Sequence, residues 1–183
     1  DSIVLPRSLK GIGDFAFMDC TKLKTLDFPA ELQSIGNGAF EESGIEAVTI
    51  PSSVARITDY AFCRCGYLKS VKIEEGVSAI GLSAFFRCYS LEEVIIPSSV
   101  KRIGLQAFDR CDSIKRVMIP ESVQTLKMVF RTSYATIQDV VLCNGMTKIA
   151  SSTFSECAGL KSLVIPPSVM EISESAFGSS EWV

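Results

Sequence analysis

The sequence contains no histidine in 183 residues. Histidine is the side chain whose ordinary pKa lies nearest neutral pH, so its absence removes the commonest general base, the usual Ser/His and Cys/His pairs and most transition-metal sites. Neighbouring carboxylates such as Glu92 and Glu93 are no substitute, because adjacent strand residues point to opposite faces and glycoside hydrolysis needs two acids across one cleft. These absences predict a protein that is not an enzyme and holds no cofactor and no metal.

An excess of charge of one sign and a long hydrophobic run are also missing. Eighteen basic residues stand against 21 acidic ones, a net charge of −3, which predicts no nucleic-acid partner. No apolar run approaches the roughly 18 residues that span a bilayer, so we expect no membrane insertion by this segment. No signal peptide opens the chain. The hydrophobic content of 47% favours a folded domain with a continuous core.

One pattern, recurring about every 23 residues, fills the sequence. Residues 45–66, 68–88 and 91–111 superimpose almost letter for letter as L-x-x-V-x-I-P-x-S-V-x-x-I-G-x-x-A-F-x-x-C. We count about eight copies and number the positions of the repeat from its first Leu or Ile. After a truncated first copy, position 1 is occupied in turn by Leu23, Ile45, Leu68, Leu91, Ile114, Ile137 and Leu160.

The repeat predicts one strand in each copy. Positions 4 and 6 are apolar with polar neighbours, as in Val71 and Ile73, which is the period-two signature of a strand. Position 7 is usually proline, which ends a strand because it has no N–H to donate. The second half, V-x-x-I-G-x-x-A-F, favours a tight turn or a helical turn. With one strand-like run in each period, successive strands must lie parallel in adjacent coils, so the sequence predicts a solenoid.

The signature I-P-x-S-V-x-x-I-G-x-x-A-F-x-x-C resembles the BspA-type (Treponema-type) leucine-rich repeat over essentially the whole chain. The resemblance implies an α/β repeat fold, a right-handed curved solenoid with a parallel sheet on its concave face and short turns or helical turns on its convex face. It also implies protein binding or adhesion in a cell-surface or secreted protein. We expect residues 1–183 to form a single domain. Since neither end shows a polar capping module, we expect a fragment of a longer array and leave end-to-end or face-to-face self-association open.

The sequence departs from this pattern in three places. The second copy lacks one residue around Ser43 and Gly44, and Glu74 and Cys143 replace the usual proline. In residues 126–137 the G-x-x-A-F-x-x-C element is missing although the spacing is kept, which predicts a distorted convex turn. Two explanations for the altered sequence remain open. It reflects either sequence drift in a loop that tolerates change or a contact site.

The seven cysteines follow the repeat. Five of them occupy position 21, where a small apolar side chain faces the predicted core. We therefore expect free buried thiols. A disulfide between stacked cysteines is the alternative, although parallel side-chain vectors disfavour its geometry. The five are Cys20, Cys65, Cys88, Cys111 and Cys157.

The best candidate binding site lies at position 5, which points away from the core. Its residues are mixed and polar in the first half of the chain and apolar in the second, where Ile95, Met118, Val141 and Val164 predict an exposed stripe about 15 Å long. Position 3 flanks that stripe with the polar residues Glu93, Arg116 and Asp139. The plainer interpretation is that β-branched residues suit an exposed strand.

Two charged columns complete the candidates. Position 2 alternates in sign, from Lys24 to Glu46 and onward, which favours correct register. Position 20 carries Arg64, Arg87 and Arg110, a secondary candidate site for sulfate, phosphate or an acidic segment. The alternative for the arginines is a solvated convex edge.

These features predict a non-catalytic module that binds a protein ligand, of unknown identity, through the concave sheet. One alternative is a structural spacer in a larger surface protein. Another is an accessory carbohydrate-binding module, although the stripe is aliphatic and the only tryptophan is Trp182, near the end of the chain.

Overall fold

A computed structural model describes residues 2–130, 137–155, 157 and 159–178. These residues contain short strands joined by turns and no helix. Each copy of the repeat forms one coil, so that coil 2 begins at Leu23 and coil 8 at Leu160. The longer strands are β3 (Ala47–Ile50), β5 (Ser70–Ile73), β7 (Glu93–Ile95), β9 (Arg116–Ile119), β11 (Asp139–Leu142) and β13 (Ser162–Val164). The two-residue strands are β1 (Gly11–Ile12), β2 (Ser34–Ile35), β4 (Arg56–Ile57), β6 (Ala79–Ile80), β8 (Arg102–Ile103), β10 (Thr125–Leu126), β12 (Lys148–Ile149) and β14 (Glu171–Ile172).

Every strand pairing is parallel and joins residues about one period apart. Val71, for example, lies opposite Val48 on one side and Val94 on the other. The leucine-rich-repeat solenoid predicted from the sequence is therefore confirmed, with about seven full turns against the predicted eight or so. The prediction of one strand in each coil is wrong, because a second parallel ladder of two-residue strands runs beside the long one.

The long strands form where the alternation is strongest. In β3, β5 and β9 exposed and buried residues alternate without a break. The proline then starts a turn, in which the N–H of Val54 donates to the carbonyl of Pro51 at 3.0 Å. Val100 and Pro97 repeat this bond at 3.1 Å. Proline thus ends the strand and opens the turn to the short strand, as its fixed φ and missing N–H favour.

The third side of the coils is a turn segment, and in coils 1 to 5 two of its residues lie in the left-handed backbone region. In coil 3 these residues are Tyr60 and Arg64, with φ of 59° and 58°. Their N–H groups donate to carbonyls of the next coil, Tyr60 to Leu82 at 2.9 Å and Arg64 to Phe86 at 2.6 Å. Each residue accepts an unfavourable φ and gains a bond between coils. Of the two predicted options for this side, the structure has turns and no helical turn in its described residues.

A column of phenylalanine rings lines the inside of that turn segment. The rings of Phe40, Phe62 and Phe85 are fully buried and stack at 5.3 and 5.4 Å between centroids, within 4° of parallel. Paired parallel strands lie closer together, at about 4.8 Å. Because the coils are spaced more widely at the rings than at the strands, the solenoid curves with the long-strand sheet on its concave side.

The irregular repeat keeps this column. Phe130 is buried and stacks on Phe108 with centroids 5.9 Å apart, and Val129 accepts the N–H of Phe108 at 3.2 Å. The A-F element is absent from the sequence of this copy, and Val129 and Phe130 occupy its place in the packing. The predicted distortion of the turn falls on residues 131–136, which lie outside the described residues.

Strand pairing divides the solenoid into three blocks. The long strands form the sheets β3-β5-β7 and β9-β11-β13, and the short strands form β1-β2, β4-β6-β8 and β10-β12-β14. Within the described residues, no ladder joins coil 2 to coil 3 or coil 5 to coil 6. The turn segments still connect the blocks, as in the bond from the Phe40 N–H to the Ala61 carbonyl at 2.8 Å.

The cysteine column bonds neighbouring coils through its thiols. Cys88 donates to the carbonyl of Phe62 and Cys111 to that of Phe85, each at 3.1 Å. All seven cysteines are free, and Cys20 and Cys143 are only half-buried. Burial raises the pKa of Cys65 to about 11 and the pKa of Cys88 well above its ordinary value. The buried thiols are therefore neutral donors with little thiolate at neutral pH.

Candidate functional site

The apolar stripe lies on the outward side of the long strands. Ile95, Met118 and Val164 are 58%, 54% and 75% exposed, and Val141 is half-buried between the last two. Val141 pairs with Met118 on one side and with Val164 on the other. Three of the four residues are therefore lateral neighbours in one sheet.

Ile95 belongs to the adjoining sheet. It pairs with Lys72, at the edge of the β3-β5-β7 sheet, and β7 lies next to β9 without a described ladder between them. The stripe therefore begins at the last strand of one block and continues over the next block.

The polar flank has the predicted position. Glu93, Arg116 and Asp139 are all exposed, and Arg116 pairs in register with Asp139. The hydroxyl of Ser162 donates to the Asp139 carboxylate at 3.1 Å. Among the described residues, no acidic oxygen lies within 4.0 Å of the Arg116 guanidinium, so its donors are available to a ligand.

A shallow depression of about 330 Å³ occupies the polar half of the same face. It is lined by outward side chains that include Asp27, Thr49, Lys72 and Glu93, and Ile95 closes its far side. The Lys72 ammonium lies 4.0 Å from the Glu74 carboxylate. The concave face thus offers a polar depression and an apolar stripe that meet at Ile95.

The charged residues at position 2 form some of the ion pairs expected from their alternating sign. Glu46 lies between Lys24 and Lys69, with nitrogen–oxygen distances of 3.8 and 4.0 Å. All three side chains are exposed, so each pair stabilises the fold by at most about 1 kcal/mol.

The three arginines of position 20 have different surroundings. Nη1 of Arg64 lies 2.6 Å from the Glu42 carboxylate, and this bond raises the pKa of Arg64. The Arg87 guanidinium lies over the Phe86 ring, 5.1 Å from its centroid. Arg110 is close enough to Asp112 to favour its ionised form, although burial raises the pKa of Asp112 overall. Arg64 and Arg87 line one depression, and Arg110 is not among the residues that line it.

Sequence reasoning missed the residues that complete that depression. Tyr67, Tyr89 and Glu42 line it together with the two arginines. The signal that marks this place in the sequence is the residue missing from the second copy, next to Ser43 and Gly44.

Neither a membrane-spanning helix nor a metal-binding cluster is found in the part of the chain that the structure describes. The described residues form no helix long and apolar enough to cross a bilayer. Groups of three or more His, Cys, Asp or Glu side chains placed to hold a metal ion are absent from the same residues.

Parallel coils of about 23 residues, with a long-strand sheet that shows ordered columns of side chains to solvent, define a leucine-rich-repeat protein. The family described as the BspA type leucine rich repeat region matches residues 1–115 and 56–182, in six copies. The chain belongs to this family, whose members and structural relatives are non-enzymatic repeat proteins.

Solved structures of bacterial proteins share the fold. A leucine-rich-repeat protein of T. pallidum is 25% identical with a TM-score of 0.79, over 87% of this chain and 77% of that one. A leucine-rich cell-surface protein of Faecalibacterium prausnitzii is 26% identical with a TM-score of 0.71, over 100% of this chain and 46% of the other. One from Bacteroides ovatus is 26% identical with a TM-score of 0.64, over 98% and 58% of the two chains.

The chain therefore spans about half the length of the F. prausnitzii protein. No curated protein sequence matches it.

Proposed function

We propose that this chain is a non-catalytic module that binds a protein partner through the concave face of its long-strand sheet. The partner docks on the stripe of Ile95, Met118, Val141 and Val164, and the charged groups of Glu93, Arg116 and Asp139 orient it. The observation that carries the proposal is the exposure of three large apolar side chains on the outward side of β7, β9 and β13. Such a row exposes apolar surface to water, and burying it against a partner is favourable.

The sheet also suits binding because its side chains are fixed before a partner arrives. Three of the four stripe residues follow a buried residue of their own strand, such as Val117 before Met118 and Val140 before Val141, and Val164 follows the half-buried Leu163. Among the described residues, β11 is held by ladders on both sides, and β7, β9 and β13 are each held on one side. Side chains on such paired strands lose little conformational entropy on binding, so more of the interaction energy appears as affinity. Leucine-rich-repeat proteins generally bind proteins, which is consistent with this use of the face.

We further propose that the module acts at the cell surface or in a secreted protein, in adhesion or in contact with a host. Support comes from the F. prausnitzii relative, which is described as a cell-surface protein. The rival function, a spacer that only separates other modules, needs no contact on the concave face.

The test compares binding by the wild-type chain and by variants of the stripe. Purified extracellular-matrix and serum proteins are passed over the immobilised chain, and each Kd is measured by biolayer interferometry. For at least one of these proteins, Met118→Asp and Val164→Asp should weaken binding about tenfold or more, because each places an unpaired charge in a desolvated contact. The matched control is Thr49→Asp, which changes the same column in its polar half.

Circular dichroism spectra and unfolding midpoints must stay unchanged in all three variants, since the substituted side chains are exposed. If no panel protein binds, or if the stripe variants bind as the wild type does, the concave face is not the docking surface. The spacer function then explains the chain better.

A further inference from the structure

The shortened coil leaves a notch on the surface, away from the concave sheet. Coil 2 begins at Leu23 and coil 3 at Ile45, so coil 2 has 22 residues, while coil 3 runs for 23 to Leu68. Coil 2 therefore ends one residue early, at Gly44, where an added Cβ would lie 2.1 Å from the Thr21 carbonyl oxygen. The residue missing from coil 2 is at repeat position 23, which Tyr67 occupies in coil 3. A groove of about 420 Å³ opens at this place.

Two tyrosines wall the groove. Tyr67 is 66% exposed and Tyr89 is 44% exposed, and both line it. Gly66 contributes to the lining near them, and a Cβ added there would meet no atom within 4 Å. The groove therefore has open space at Gly66, and two exposed aromatic side chains line it.

The positive charge in the groove is not fully neutralised. Glu42 is the only carboxylate among the residues that line it, and it is engaged by Arg64 at 2.6 Å. The Arg87 guanidinium rests over Phe86, and its Nε is buried without a hydrogen-bond partner in the described residues. None of the ion pairs found among the described residues involves Arg87, and an anionic oxygen is the acceptor that suits a guanidinium best.

We propose that this groove binds a sugar that carries a carboxylate or a sulfate group. The anionic group accepts hydrogen bonds from Arg87, and the C–H face of the sugar ring packs on the tyrosines. The volume falls in the lower part of the range of about 300–1,000 Å³ that is typical of small-molecule sites. The site is separate from the stripe and does not depend on the proposed protein docking.

An acidic peptide fits the groove less well. An extended peptide gains affinity by adding to a free backbone edge. Here the backbone is already paired, since the N–H groups of Glu42 and Arg64 donate to the carbonyls of Cys63 and Phe86 at 2.9 and 2.6 Å. The N–H of Arg87 donates likewise to Asp109 at 2.9 Å. Recognition must therefore come from side chains around a compact ligand.

The experiment is an NMR titration of the full chain that follows the Arg87 Nε–H and the Tyr67 amide. The probes are D-glucuronic acid and D-glucose 6-sulfate, with D-glucose, sodium acetate and a tetraglutamate peptide for comparison. The two anionic sugars should shift both signals at millimolar concentration and bind at least about fivefold more tightly than each comparison probe. Arg87→Lys should weaken binding about tenfold or more, because it loses the planar fork of donors. Tyr67→Ala should weaken it several-fold by removing the stacking face.

Matched controls are Arg102→Lys and Tyr60→Ala, which change an arginine and an exposed tyrosine outside the groove and should leave the affinity unchanged. A further variant inserts one serine after Gly44, which restores the 23-residue period and should abolish binding by filling the notch. The proposal is overturned if neither anionic sugar shifts the signals, or if acetate or glucose binds as tightly. It is also overturned if only the peptide binds, or if Arg87→Lys and Tyr67→Ala bind as the wild type does.

Discussion

Coils 3 to 5 and coils 6 to 8 are built from the same repeat but differ in packing and in what they show to solvent. In the first block the Phe85 and Phe108 rings lie within 2° of parallel, and in the second the Phe154 and Phe177 rings are tilted by 15°. The inward strand residue Val71 is buried, and its counterpart Leu163 is half-buried. The outward residues at position 5 are polar over most of the first block and apolar over the second. The second, less regular block displays most of the apolar stripe.

The strand ladders are interrupted at the junction between these two blocks. The strand ladders stop at β7 and β8 and resume at β9 and β10, while the turn segments and the Phe108–Phe130 contact continue. In a solenoid each coil contacts only its neighbours, so stability is roughly a sum of coil and interface contributions. Substitutions placed on either side of the junction test whether the blocks differ in stability as they differ in regularity.

The largest expected effect comes from the phenylalanine column. Phe85→Ala removes a fully buried ring between two stacked neighbours, which should lower the free energy of unfolding by about 3–5 kcal/mol. Phe177→Ala should cost clearly less, because Phe177 is half-buried. Urea unfolding followed by circular dichroism measures both. Equal losses would show that the two blocks pack equally well.

The next effect concerns the close approach of coils 4 and 5. A Cβ added at Gly104 would lie 2.5 Å from the carbonyl carbon and oxygen of Gly81, so Gly104→Ala should cost about 1–3 kcal/mol. Gly13→Ala is the matched control, because its added Cβ would meet nothing within 4 Å. If both variants unfold at the same urea concentration, the coils are not as close as described.

A smaller effect is expected at the left-handed turn residues. Tyr60 has a φ of 59° and is exposed, so Tyr60→Gly should relieve strain while Tyr60→Val, which is β-branched, should add to it. The two variants should differ by about 1–2 kcal/mol in unfolding free energy. Ser175, with φ of 57° in the second block, offers the same pair of substitutions. A valine variant as stable as the glycine variant would contradict the left-handed assignment.

The smallest effect belongs to the exposed ion pairs, one in each region. Glu42→Gln breaks the pair with Arg64, and Glu171→Gln breaks the pair with Lys148, in which the two atoms lie 2.6 Å apart. Each loss should be at most about 1 kcal/mol and should shrink further in high salt, because the side chains are exposed. Thermal unfolding at two salt concentrations measures it. A loss much above that value would mean that these pairs hold the coils in register.

The long-strand register could be predicted because alternation such as Val48-Thr49-Ile50 admits only one inward face. The short strands could not, since two residues such as Arg56 and Ile57 are too few to show a period. The left-handed residues carry no glycine signal, as Tyr60 and Arg64 illustrate. Phe130 was missed because it comes one residue earlier than the repeat predicts. The groove forms where side chains of neighbouring coils pack around the place of the missing residue. The sequence shows where that residue is missing but not how the neighbouring side chains pack there.

The account depends most on the claim that stripe residues of successive coils lie side by side and face solvent. Methyl-labelled NMR tests this directly, through cross-relaxation between methyl groups and through signal loss with a soluble paramagnetic agent. The account predicts contacts from Met118 to Val141 and from Val141 to Val164, with strong attenuation at Met118 and Val164 and protection at Val117 and Val140. Missing contacts, or attenuation at Val117 and Val140 with protection at Met118, would contradict it.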